Sequence, residues 1–164
     1  MFTLPLQCNP GDGAKEIVSD ENTVVLKSQI CYNGTCYGGS METYTLVRPE
    51  HLNHHGQLFG GRLLEWVDEY AWLAAARDYP DNELVTRAMN SIDFRYGIPN
   101  GSILRFVITK GKEGTTSVTY NVEVYTKIGS VKEQLVFSNN VTFVAINKDG
   151  QKVPLIKEVS QSQE

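Results

Sequence analysis

A carboxylate and a pair of glycines stand where they could perform acid–base and oxyanion-binding chemistry. They lie in Asn53-His54-His55-Gly56-Gln57-Leu58-Phe59-Gly60-Gly61-Arg62-Leu63-Leu64-Glu65-Trp66-Val67-Asp68. With His51 just before it, this polar loop carries all three histidines of the chain. It then passes through Gly60-Gly61 into the strongest helical pattern of the sequence, from about Gly61 to Arg77. Tyr79-Pro80 ends that helix, because proline disfavours helical backbone at the residue before it. A helix N-terminus presents unpaired N–H groups and a partial positive charge, and glycines there let an oxyanion or phosphate approach them. The plainer reading of the pair is a simple loop-to-helix turn.

At roughly 100° per residue, Arg62, Glu65 and Glu69 share one wet edge of the helix, and Asp68 projects about 60° from Glu65 toward Leu64, Ala71, Trp72 and Ala75. A carboxylate beside an apolar stripe is costly to bury unless it is paired or hydrogen-bonded. Asp68 is therefore either an exposed margin residue or a cleft carboxylate tuned as a general base. Leu63, Leu64, Trp66, Val67, Tyr70, Ala71, Leu73 and Ala74 cover most of the circumference, which predicts a buried helix wrapped by the rest of the chain. Trp66, Tyr70 and Trp72 are expected to fill the core.

The remaining chain is strand-like. Met41 to Val47, Leu84 to Tyr96, Ser102 to Lys110, Thr115 to Lys127 and Glu133 to Ile146 alternate or are rich in strand-forming residues, with short glycine-containing turns that predict an antiparallel meander. Residues 1 to 22 read as a loop or loose arm, and a strand-like run goes from Thr23 toward Ile30. Asn33-Gly34 is a two-residue hairpin signal that sets Cys31 opposite Cys36. About 4.5 Å between their Cα atoms is compatible with a disulfide, but in a reducing cytosol two free thiols are expected. With Cys8 the only other cysteine, a zinc site lacks a fourth ligand. His51, His54 and His55 are a poor metal cluster, since adjacent residues rarely point at one ion.

The pattern Asn-x-x-Gly-x-x-Phe-Gly-Gly-(six residues)-Asp, present as Asn53, Gly56, Phe59, Gly60, Gly61 and Asp68, resembles the signature of hotdog-fold acyl-CoA thioesterases of the acyl-CoA hydrolase branch. The resemblance covers roughly residues 41 to 150. It implies an α+β hotdog fold, an antiparallel sheet wrapped around one long central helix. It implies hydrolysis of acyl-CoA to a free carboxylic acid and CoA, with no cofactor beyond the coenzyme A of the substrate itself. By the same resemblance Asp68 is the general base or nucleophile, and Asn53 positions water or the thioester. The helix start at Gly60 and Gly61 polarises the carbonyl, and Thr116 and Ser117 contact CoA. It implies a homodimer with composite sites, Asn53 of one protomer facing the acid of the other, and leaves larger rings open. Arg87, Lys110 and Lys112 are cations within the same segment that could meet CoA phosphates. The chain departs from the family where Gly97 stands in place of a proline three residues after Phe94.

Two rivals share this fold. A hydroxyacyl-thioester dehydratase would pair His54 or His55 with Asp68, and a non-catalytic acyl-CoA-binding protein would keep the groove without turnover. The expected organisation is an N-terminal extension over 1–40 with a hairpin, one hotdog domain over 41–150 and a polar tail over 151–164. A 164-residue chain is long enough for one real core. Its net charge of −4 argues against a nucleic-acid surface. Without an apolar run of about eighteen residues or a signal peptide, it is expected to be soluble and cytoplasmic, with no membrane partner.

Overall fold

The structure is a computed structural model that describes residues 40–127 and 132–156, together with the backbone of four short strands nearer the N-terminus. Those four are β1 (Lys15–Asp20), β2 (Thr23–Ser28), β3 (Ile30–Tyr32) and β4 (Thr35–Tyr37). β1 pairs antiparallel with β2, so part of the expected loop over residues 1 to 22 is a strand. Its sequence, Lys-Glu-Ile-Val-Ser-Asp, lacks the alternation by which a strand is usually read. β3 pairs with β4 and sets Cys31 opposite Cys36 as expected. The side chains of these strands, Cys8 and the turn Asn33-Gly34 lie outside the described residues.

The main sheet has five antiparallel strands in the order β5-β7-β8-β9-β6. They are β5 (Met41–Leu46), β6 (Glu83–Met89), β7 (Ile103–Glu113), β8 (Ser117–Thr126) and β9 (Gln134–Ile146). Only β7, β8 and β9 form the expected meander; β5 joins outside β7, and β6 closes the opposite edge against β9. β8 alternates buried and half-buried residues without a break, with Val118, Tyr120, Val122 and Val124 turned to the core. That period of two aims one face at a single long helix, α1 (Gly60–Asp78). A helix embraced by a curled antiparallel sheet is the hotdog arrangement.

The helix buries Leu63, Trp66, Val67, Ala71, Ala74 and Ala75 against the sheet. Three alanines on that stripe let the strands approach closely, and Val67, Ala71 and Ala75 are fully covered. Its far end is anchored by polar contacts: the Tyr120 hydroxyl donates to Asp78 at 2.7 Å and the Tyr79 hydroxyl to Glu113 at 2.5 Å. Lys110 pairs with Glu113 at 2.8 Å and lies over the Tyr79 ring, so this cation is engaged in the fold. Burial and the neighbouring carboxylates push both tyrosine hydroxyls above their usual range.

The helix is not enclosed all round. Trp72 and Leu73 remain 43% and 44% exposed, although the Trp72 indole N–H donates to the Leu84 carbonyl. Five strands cover one side of a helix that is apolar on more than one. Trp66 does fill the core, stacking edge-on with His51 at 4.9 Å.

The strand expected to run from Leu84 to Tyr96 stops at Met89. Asn139 on β9, only 4% exposed, explains the stop. Its side chain accepts from the Asn90 N–H, which it shares with the Asn140 carbonyl, and donates to the Asn90 and Ser91 carbonyls, so the pairing ends there and the chain turns away. Residues 90–98 then fold back over the helix start. Beyond Gly150 the chain stays on the sheet: Val153 N–H donates to Ala145, Leu155 N–H donates to Thr115, and Leu155 is buried.

Candidate active site

Asn53 opens the loop that delivers the chain into α1, and its side chain builds that loop. Its Oδ1 accepts the N–H groups of His55 at 2.9 Å and Gln57 at 3.2 Å. Backbone bonds from Asn53 N–H to Gln57 and from Gly56 N–H to Asn53 close the turn, with Gly56 at φ 74°, a left-handed conformation that glycine adopts without strain. Two N–H donors can be met only by the oxygen of the amide, so the orientation of Asn53 is fixed. Its NH2 group has no partner among the described residues, and Asn53 stands at the wall of a cleft of about 370 Å³.

The same cleft is lined by Gly60, the first residue of the helix. Phe59 at the N-cap supplies no side-chain hydrogen bond, and its carbonyl takes the N–H groups of Arg62 and Leu63. Among the described residues the Gly60 and Gly61 N–H groups have no partner. Aromatic rings stand over both glycines. A Cβ on Gly60 would lie 2.9 Å from the Phe94 ring, and one on Gly61 would lie 2.5 Å from the Phe59 ring. Phe94 is itself stacked on Phe137 with ring centres 5.7 Å apart. Glycine here serves close packing of rings against the helix start as well as access to its N–H groups.

Asp68 lies elsewhere. It is two turns into the helix, about 12 Å along from Gly60 at 1.5 Å per residue, and does not line the Asn53 cleft. It is half-buried and accepts the Thr86 hydroxyl of β6 at 2.7 Å. Thr86 was not among the expected site residues. The only sequence signal for it is a hydroxyl on the first strand after the helix, and nothing in its spacing distinguishes it from Thr109 or Thr119. The ladder skips a register between Thr86 and Ala88, which leaves Arg87 as a bulge residue, exposed, on the same edge.

Thr116 and Ser117 occupy a third location, the entry to β8. The Thr116 carbonyl accepts Ala145 N–H, and Ser117 faces Val144, which in turn faces Val85. They are thus two strand spacings, roughly 10 Å, from the strand that holds Asp68. One chain therefore brings Asn53 and Gly60 together, keeps Gly61 beside them, and leaves Asp68, Thr116 and Ser117 outside their cleft. His55 lines the cleft, and its ring packs on His54 at 3.9 Å, while His51 Nδ1 accepts the Arg48 N–H. Neither histidine of the loop pairs with Asp68.

The thioesterase superfamily pattern matches residues 55–133. A Bacillus subtilis protein named as an acyl-CoA thioester hydrolase is 32% identical over 121 residues, which cover 72% of this chain and 69% of that protein. The Staphylococcus aureus acyl-CoA hydrolase, solved with butyryl-CoA, CoA and CoA disulfide, superposes with a TM-score of 0.64 at 28% identity, covering 72% of each chain. A hexameric thioesterase of Yersinia pestis superposes with a TM-score of 0.64 at 25% identity, over 70% of this chain and 93% of that one. Sequence and structure comparisons thus agree, and the chain belongs to the hotdog-fold acyl-CoA thioesterases, in their acyl-CoA hydrolase branch.

Proposed function

We propose that this protein hydrolyses acyl-CoA thioesters to a free carboxylic acid and CoA, at composite sites formed between two copies of the chain. The observation that carries the reading is the separation just described. The Asn53 cleft holds donors but no carboxylate: the Asn53 NH2 and the Gly60 N–H line it, with the Gly61 N–H beside them. The acid that could activate water, Asp68, is held by Thr86 outside it. A second copy, related by a two-fold axis, would bring the acid of one chain to the donors of the other. The open Trp72 and Leu73 face and the β6 edge are the surfaces such a pairing would cover.

In this scheme the thioester oxygen sits against the donors, which stabilise the negative charge that develops as the carbonyl is attacked. Asp68 takes the proton of the attacking water, or attacks the carbonyl itself to give a mixed anhydride that water then hydrolyses to the free acid and the restored carboxylate; Thr86 fixes its rotamer. The departing thiolate needs no dedicated acid, so a carboxylate and a set of donors are sufficient. Thr116 and Ser117 supply hydroxyls for the CoA portion. Variants of the Staphylococcus aureus hydrolase support the assignment. In two of them an asparagine and an aspartate fifteen residues apart are replaced by alanine, the separation of Asn53 and Asp68 here. A third replaces a threonine seventeen residues beyond that aspartate, against eighteen from Asp68 to Thr86. The hexameric relative supports a higher assembly of such pairs. The chain's setting is proposed to be cytoplasmic; no helix among the described residues is long and apolar enough to cross a membrane.

Asp68→Asn tests the reading. It preserves shape and the bond from Thr86 and removes the base, so thiol release from acyl-CoA should stop while the melting temperature stays close to wild type. A variant that turns over at the wild-type rate would end the proposal. Formation of an enoyl product without thiol release would instead favour dehydration, and tight acyl-CoA binding by a wild type that never releases thiol would favour a binding protein.

A further inference from the structure

The cleft beside Asn53 contains a polar group that the hydrolysis does not use. Gln57 lines it, and the Gln57 side chain lies directly over Gly97: a Cβ at Gly97 would stand 2.9 Å from its Oε1 and 3.2 Å from its Cδ. Two backbone contacts hold these segments together. Gln57 bridges to Pro99, and Leu58 N–H donates to the Ile98 carbonyl at 2.7 Å. The Gln57 backbone is fully engaged, but its side-chain amide has no hydrogen-bond partner among the described residues. Below it the base of the cleft is apolar, with Leu58, Leu63 and Ile98 all buried.

Gly97 is what allows this arrangement. Any side chain there, a proline ring included, would meet the glutamine amide and force it to another rotamer. The apolar base suits the acyl end of the substrate, since the anionic nucleotide of CoA belongs in water. A plain methylene chain passing Gln57 would strip water from the amide and offer it nothing in return. Leaving a desolvated amide unpaired weakens binding by roughly five- to one-hundred-fold. An acyl group with a hydroxyl or oxo oxygen pairs with the amide and avoids that loss.

We infer that Gln57, admitted to the cleft by Gly97, is a specificity-determining residue that selects oxygen-bearing acyl groups over plain aliphatic chains of the same length. This rests on the hydrolase reading above, and the experiment separates the two. Thiol release is measured with decanoyl-CoA and 3-hydroxydecanoyl-CoA for the wild type, Gln57→Leu and Gly97→Ala, with thermal melts to report folding. The wild type should favour the hydroxylated substrate in kcat/KM by about fivefold or more. Gln57→Leu should abolish or invert that ratio, because it supplies an apolar wall of similar size. Gly97→Ala should shift the ratio the same way by displacing the amide, and it decides the matter should the Gln57 variant fail to fold. Equal kcat/KM for the two substrates in the wild type would overturn the inference while leaving the hydrolase reading intact. An unchanged ratio in folded variants would do the same. A wild type that releases no thiol from either substrate or from butyryl-CoA would overturn both.

Discussion

Thr86→Val removes one hydroxyl and keeps shape and strand propensity, so it isolates the bond that holds Asp68. The bond is 2.7 Å long and runs from a neutral donor to a carboxylate; such charge-assisted bonds contribute about 1.5–3 kcal/mol where water is excluded. In the free protein both partners are reached by solvent, and water replaces most of what the hydroxyl gave. The expected loss of folding stability is therefore below about 1 kcal/mol, a fall in melting temperature of about 2–4 °C at most for a chain of this size. With substrate bound in a closed site, water is not available to compensate. There the full bond is missed in the step that needs the carboxylate aimed, and about 1.5–3 kcal/mol corresponds to roughly a ten- to one-hundred-fold fall in kcat. KM should change little, because Thr86 touches the acid and not the substrate. Thr86→Ser, which restores the donor, should recover most of the rate. Steady-state thiol release and a thermal melt measure both quantities on one preparation. A Thr86→Val enzyme with wild-type kcat, or one whose loss lies in KM alone, would refute the reasoning.

Three further outcomes follow from particular contacts. Asn53→Asp retains an oxygen for the His55 and Gln57 N–H groups but substitutes a carboxylate for the NH2 donor, so the loop should persist while kcat falls by about 10²–10³-fold, the usual effect of removing an oxyanion donor; a variant with near-normal kcat would show that Asn53 serves the loop alone. Asn139→Ala leaves the Asn90 N–H only its bond to the Asn140 carbonyl and takes the side-chain donor from the Asn90 and Ser91 carbonyls, which lie on exposed residues that water can reach, so it should cost about 0.5–1.5 kcal/mol in denaturant unfolding; an unchanged midpoint would refute the clasp. The raised hydroxyls of Tyr79 and Tyr120 mean that the unfolded chain ionises first, so their stabilisation is complete below the ordinary tyrosine value of 10.0 and is lost as pH rises above it. Tyr120→Phe should be less sensitive to alkaline unfolding than wild type in pH-dependent melts, and equal sensitivity would contradict that account.

The helix was legible because its signal is local. Gly60-Gly61 and Tyr79-Pro80 bracket it, and the observed limits differ from the expected ones by a single residue at each end. The alternation of β8 was equally plain, since one face packs on α1 and the other does not. What the sequence hid are features that depend on distant partners. Asn139 lies about fifty positions from the segment it captures, and its burial carries no pattern, so Leu84 to Tyr96 read as one strand when only its first part is paired. Thr86 becomes notable only when β6 is laid beside α1. The apolar circumference of the helix was read as complete burial, yet the chain supplies a wrap for one side and leaves Trp72 and Leu73 open. A count of apolar residues says that a face must be covered but not by which chain.

Mixing two inactive variants tests the composite site most directly. Asn53→Ala and Asp68→Ala proteins are combined in equal amounts under conditions in which subunits exchange, and exchange is verified with distinguishable tags. Half of the dimers then carry one variant of each kind, and each of these holds one site with both residues intact, so activity should return to about a quarter of wild type. Persistent inactivity in a fully exchanged mixture would contradict the account.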